Sequence, residues 1–198
     1  IKISAFYKNT LNQLEKAVDQ LKKEGAKSLV FDVRSTYDGT IEYTCRVIDY
    51  LVPTATEGNK ALATLVDKNG NNVKTYSSDA KDITMPMAVL INSDTAGYGE
   101  LFACDLKDFG KAFLIGEKTA GRADVQETFE LSDGGAVVLT TSKMMPYISE
   151  SFDGKGLIPD TEIILADSLR ENLSTLEKDR DTQLQAAISM LAGNSSEG

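Results

Sequence analysis

The sequence predicts one α/β domain, on three observations. Short strand-like apolar runs alternate with stretches whose apolar residues recur at helical spacing. The chain has 198 residues, 41% of them hydrophobic, enough for one sizeable core. No internal repeat is visible, nor any linker long enough to divide the chain into domains.

The elements follow in order. Residues 1–6, beginning Ile1-Lys2-Ile3, open the chain inside a strand. Residues 10–24 read as a helix, with Leu11, Leu14, Val18 and Leu21 as its stripe. Thr10 and Gln13 form a capping-box pattern at its start, and Gly25 ends it. Residues 28–33 are a strand, and residues 41–52 a helix stopped by Pro53. Residues 61–67 and 73–77 flank Asn69-Gly70, a hairpin signal. A strand over 86–91 feeds a glycine-containing turn. A helix over 98–109 follows, with Leu101, Phe102, Leu106 and Phe109 at helical spacing and Gly110 at its stop. Ala112 to Ile115 is a strand. Residues 125–131 and 136–141 pair around Asp133-Gly134-Gly135. A last helix carries Leu184, Ile188 and Leu191, and residues 193–198 read as a loose polar tail after a core of residues 1–192.

Composition removes several classes of chemistry. The chain has no histidine, which excludes Ser-His-Asp and Cys-His triads and histidine-ligated metal sites. Ser–Lys, Thr–Lys and carboxylate chemistry remain. A net charge of −9 disfavours nucleic acid and anionic membrane as partners. No apolar run approaches the roughly 18 residues of a membrane span. Cys45 and Cys104 read as buried free thiols, and no Cys-x-x-Cys pair exists. The run Asp67-Lys68-Asn69-Gly70-Asn71 has the oxygens of a calcium loop but lacks its closing glutamate, so it reads as a plain turn. Neither a metal nor a cofactor is implied.

The informative stretch runs from Ile91 to Gln126. Its strand–turn–helix order places the turn at a helix N-terminus, where free N–H groups and the helix dipole favour developing negative charge. Hydrolases keep nucleophile and oxyanion donors in such places. Around it stand Phe31-Asp32-Val33-Arg34 with Gly39 beyond, Gly99-Glu100-Leu101-Phe102-Ala103, Lys107-Asp108-Phe109-Gly110, Gly116-Glu117-Lys118-Thr119 and Gly154-Lys155-Gly156-Leu157-Ile158-Pro159-Asp160. In this order and spacing the chain, from Ile1 to about Leu191, resembles the C-terminal processing (tail-specific) peptidases, a branch of the ClpP/crotonase-like superfamily. The resemblance implies a ClpP/crotonase-like core of twisted sheets flanked by helices, and a Ser–Lys dyad acting on polypeptide C-termini. It also implies an extracytoplasmic location, periplasmic or secreted, and an upstream PDZ-like domain. Ile1 is not a natural start, and such a domain is expected before it.

The resemblance breaks at its centre. The family's serine position is Gly97, and its general-base lysine position, 25 residues on, is Arg122. Gln126 and Asp108 keep the family's supporting positions. Glycine has no nucleophile, and arginine stays protonated where a lysine base must be neutral. The oxyanion positions are Gly39, in the loop Ser35-Thr36-Tyr37-Asp38-Gly39, and Tyr98, and Asp38 brings negative charge to them. The expected function is therefore a catalytically inactive peptidase-like domain that retains a peptide cleft. The alternative is an active serine or threonine peptidase with Thr95 or Ser93 as relocated nucleophile and Lys118 as replacement base. Plainer readings stand beside these. Thr95 and Ser93 suit turns that bond their own backbone. Lys118 fills an ordinary family position, and Arg122 suits a solvated turn. Gly97 and Gly99 suit a positive-φ turn, Asp108 suits a helix end, and Gln126 suits backbone pairing.

Overall fold

The computed structural model describes residues 1–52, 61–78 and 83–194. The first half of the chain forms β1 (Ala5–Phe6), α1 (Thr10–Lys23), β2 (Leu29–Asp32), β3 (Asp38–Gly39), α2 (Ile41–Leu51), β4 (Ala61–Val66), β5 (Asn72–Ser77) and β6 (Met87–Ile91). The second half forms α3 (Tyr98–Asp108), β7 (Ala112–Gly116), β8 (Asp124–Glu130), β9 (Ala136–Met145), β10 (Thr161–Glu162), α4 (Asp167–Arg170) and α5 (Thr182–Asn194).

A parallel sheet in the order β10-β7-β6-β2 forms the middle of the structure. All five residues of β6 are buried, as expected of a parallel strand covered on both faces. Its side chains alternate between two cores. Met87, Val89 and Ile91 join residues of α1, α2 and α3, including Val18, Ile48 and Phe102. Ala88 and Leu90 join Ile115 with Ala187 and Leu191 of α5. Phe102 anchors the larger core between Phe6 and Phe31, with ring centroids 5.4 and 5.6 Å away. A second, antiparallel sheet runs β5-β4-β9-β8, and β1 pairs with β3 in parallel.

The mixed α/β class and most elements match the sequence expectations, with shifts at their ends. The opening strand shrinks to Ala5–Phe6, plus a single bridge from Lys2 to Asp32. The capping box at Thr10 does not form. Asn9 is the N-cap, and the Thr10 hydroxyl instead accepts from Tyr7 N and donates to Ala5 O. That hydroxyl closes the loop between β1 and α1. β9 continues to Met145, four residues beyond expectation, because its far end pairs with β4. The stripe of α5 is Leu184, Ala187 and Leu191, whereas Ile188 is exposed. The helix also continues through Gly193, inside the expected tail. Pro53 and the remainder of that tail, residues 195–198, lie outside the described residues. Both cysteines are free and buried.

Arg34 and Asp105 are among the polar side chains buried in this frame. Arg34, two residues past the end of β2, donates to both oxygens of Asp32 and of Asp181, and to Gln183. This ties the sheet to the start of α5. Asp105 of α3 accepts from Tyr147 N at 3.0 Å, and burial holds its carboxyl well above the usual carboxylate range.

Candidate active site

The site begins where β6 ends. Asn92 and Thr95 fold the chain into a tight turn. Asn92 N donates to the Thr95 hydroxyl, and that hydroxyl donates to Val33 O, each at 3.0 Å. The Asn92 carboxamide accepts from Ser35 N at 2.7 Å and donates to Ser35 Oγ at 3.1 Å. It thereby holds Ser35 at φ 58°, a left-handed conformation that few non-glycine residues adopt. Backbone bonds from Ala96 N to Thr36 O and from Ala120 N to Thr95 O, both 3.0 Å, complete a junction of three loops. These loops are residues 35–39, 92–97 and 119–122.

Gly97 is the N-cap of α3, with φ 54° and ψ −110°. These values approximate the first central residue of a type II′ turn, where positive φ favours glycine. A sharp strand-to-helix elbow of this kind is what exposes a nucleophile in hydrolases. Space is not the obstacle to a side chain here. A Cβ on Gly97 would meet Tyr37 O at 3.6 Å and Arg122 O at 3.7 Å, ordinary contact distances.

Glu100 fixes this geometry. Its fully buried carboxylate accepts from Gly97 N at 3.0 Å and Arg122 N at 2.8 Å through one oxygen. Through the other it accepts from Gly121 N at 2.7 Å and from the Thr119 hydroxyl. One side chain thus joins the helix start to the 119–122 loop. Gly121 is required there, since a Cβ would lie 2.7 Å from Gly156 N.

The remaining candidates fall in different places. Arg122 is exposed and lines a cleft of about 420 Å³ with Ser35, Tyr37, Ser93, Asp94, Ala96 and Ala120. Ser93 is exposed in this cleft, whereas the Thr95 hydroxyl is buried and bonded in the turn. Lys118 is exposed with its Cε over Gly156, 3.4 Å from where a Cβ on that glycine would stand. Gln126 is exposed on β8, at the irregularity where pairing with β9 shifts. Asp108 accepts from Ile148 N and Ser149 N, so it orders the loop after β9. In the 35–39 loop the Gly39 N–H donates to Asp38 Oδ1 at 2.9 Å. Tyr98 opens α3, where the first N–H groups lack intrahelical partners. Its phenol is held above its usual pKa, first by burial and then by Tyr76 and Asp38.

Sequence reasoning missed Asn92 and the reach of Glu100. A glutamate at the third helical position was the available signal for the second, because it predicts a bond back to the N-cap N–H. Its bonds to residues 119–122 have no local signature.

A parallel sheet whose central strand ends in such an elbow, beside an antiparallel sheet, defines a ClpP-like peptidase scaffold. The chain belongs to peptidase family S41, whose family model matches residues 1–163. It is 29% identical over 192 residues to a carboxyl-terminal-processing protease of Picosynechococcus, covering 96% of this chain and 44% of that protein. It is 30% identical over 167 residues to the carboxy-terminal processing protease CtpA of Bacillus subtilis, covering 84% and 35% respectively. Among solved structures, a photosystem II D1 C-terminal processing protease superposes with a TM-score of 0.73 at 28% identity, over 82% of this chain and 41% of that one. The tricorn protease shares the fold, at a TM-score of 0.54 and 19% identity over 86% of this chain and 15% of that one. The chain thus spans less than half the length of the curated relatives it matches. Among the described residues no helix is long and apolar enough to cross a membrane.

Proposed function

We propose that this domain is a peptidase-like module without peptidase activity, which binds polypeptide C-termini in the cleft beside Gly97. Gly97, Arg122 and Gln126 are its counterparts of the catalytic positions. The carrying observation is the elbow, built and braced by Glu100 but tipped by a residue with no side chain. A hydroxyl, thiol or amine is needed there for covalent catalysis. Arg122 lines the cleft with a permanent positive charge. A guanidinium suits a terminal carboxylate, which it can grip through two parallel hydrogen bonds. The processing-protease names of the relatives support a polypeptide C-terminus as the ligand. The same relationship supports an extracytoplasmic setting.

One observation favours the alternative of a relocated nucleophile, namely the exposure of Ser93 in the same cleft. The arginine lining that cleft cannot serve as its base. Incubation with casein, with C-terminally tagged peptides and with a serine-directed acylating probe tests the two readings. We expect no hydrolysis above background and no labelling. Time-dependent labelling that disappears in Ser93→Ala or Thr95→Ala would establish the alternative.

A further inference from the structure

Three tyrosines from separate elements lie near Asp38, and one of them, Tyr37, also lines the cleft with Arg122. The parallel pairing Ala5↔Asp38 and Phe6↔Gly39 sets the end of β1 against β3. The two strands are in close contact, since a Cβ on Gly39 would lie 2.7 Å from Phe6 O. Tyr7 leaves β1 at this point, and its hydroxyl lies beside the Asp38 carboxylate. Tyr37 enters β3, with its carbonyl 3.6 Å from the Cβ position of Gly97. Tyr98 follows Gly97 directly. Tyr7 is 47% and Tyr37 65% exposed, so aromatic surface stands open to solvent beside a carboxylate. Among the described residues no lysine or arginine forms an ion pair with Asp38.

We propose that Asp38, Tyr7, Tyr37 and Tyr98 form a subsite for the cationic side chain of a lysine or arginine close to the C-terminus of a bound polypeptide. This rests on the reading of the cleft as a peptide site. Tyrosine faces attract ammonium and guanidinium groups through their ring quadrupole. A carboxylate and phenol oxygens supply acceptors for the cation's N–H groups. Arg122, which lines the cleft together with Tyr37, repels a cation and attracts a carboxylate. A chain whose terminal carboxylate sits at Arg122 would carry its preceding side chains toward Asp38. Asp94 lines the Arg122 end on a separate turn. The chain's net charge of −9 draws basic polypeptides toward it at long range.

Fluorescence anisotropy with labelled decapeptides on the full 198-residue chain tests this. The peptides carry lysine, norleucine or glutamate at both of the last two positions, each as C-terminal acid and as amide. The lysine acid should bind about tenfold more tightly than the norleucine acid, the scale of a cation held by aromatic faces and one carboxylate. The glutamate acid should bind most weakly. Asp38→Asn keeps an acceptor for Gly39 N. It should remove the lysine preference while leaving norleucine binding within about twofold. Equal affinity for the lysine and norleucine acids overturns the cationic subsite and leaves the carboxylate cleft standing. A lysine preference that survives Asp38→Asn, in a variant with an unchanged melting curve, also overturns it. A lysine preference without an acid–amide difference supports the subsite and removes Arg122 as carboxylate anchor. No binding by any peptide overturns both.

Discussion

Glu100 shows how one buried side chain shapes a site without standing in it. Three backbone N–H groups and a threonine hydroxyl converge on its carboxylate, so its burial is compensated at every lone pair that matters. Glu100→Gln would turn an NH2 toward N–H donors and leave at least one of them unpaired. We expect a loss of about 2–4 kcal/mol in urea unfolding, the range for a buried charged hydrogen-bond network that loses an acceptor. The sequence marks Glu100 as the residue that opens the helix. It gives no sign of partners 19 to 22 residues downstream, because only the fold brings them there. Thr95 teaches the converse. Its turn-forming reading was available from residue type, and the buried hydroxyl between Asn92 and Val33 agrees with it.

Among the elements, β6 and α5 differ in how openly the sequence declares them. The run Met87-Ala88-Val89-Leu90-Ile91 has one natural home, a strand covered on both faces. The stripe of α5 is less legible, because alanine at 187 is buried while isoleucine at 188 is exposed. Packing against Leu90 and Ile115 leaves room for the small side chain, and rotates the larger one outward. What positions α5 is polar. Arg34 bridges Asp32 on the sheet and Asp181 at the helix start, with both carboxylates within 2.7 Å of the same nitrogen. Arg34→Met would leave two facing, largely buried carboxylates without their cation. We expect a destabilisation of about 3–5 kcal/mol. Loss of hydrogen-exchange protection in α5 before the rest of the sheet would locate the damage. Protection lost evenly across the domain would argue against a local clasp.

For the whole molecule the question is whether the scaffold still supports chemistry. The elbow, the Glu100 brace and the cleft are in place around Gly97, and a Cβ fits there. Gly97→Ser combined with Arg122→Lys should therefore give weak hydrolysis of tagged peptides, and neither change alone should. The hydroxyl and the base act as a unit, so their effects are non-additive. The serine must hold φ 54° and ψ −110°, a sparsely populated conformation that costs about 1–3 kcal/mol in stability. Recovery should be partial, because Asp38 brings a carboxylate to the 35–39 loop beside Gly97 and occupies the Gly39 N–H. Asp38→Gly in the same background should raise the rate further. A well-folded triple variant with no activity would place the decay beyond these three residues.

The order of strands, turns and helices was legible because hydrophobic period and glycine position are local properties of the chain. The proposal that glycine and arginine stand at the dyad positions rests on short family motifs and their spacing, which the sequence alone displays. The convergence of the 92–97 and 119–122 loops on Glu100 was not legible, nor was the placing of Tyr7, Tyr37 and Tyr98 near Asp38. Each joins residues far apart in sequence whose proximity follows from strand pairing. Burial, which sets whether a hydroxyl such as Thr95 is a turn bond or a free group, is likewise a property of the packed sheet rather than of the segment that carries it.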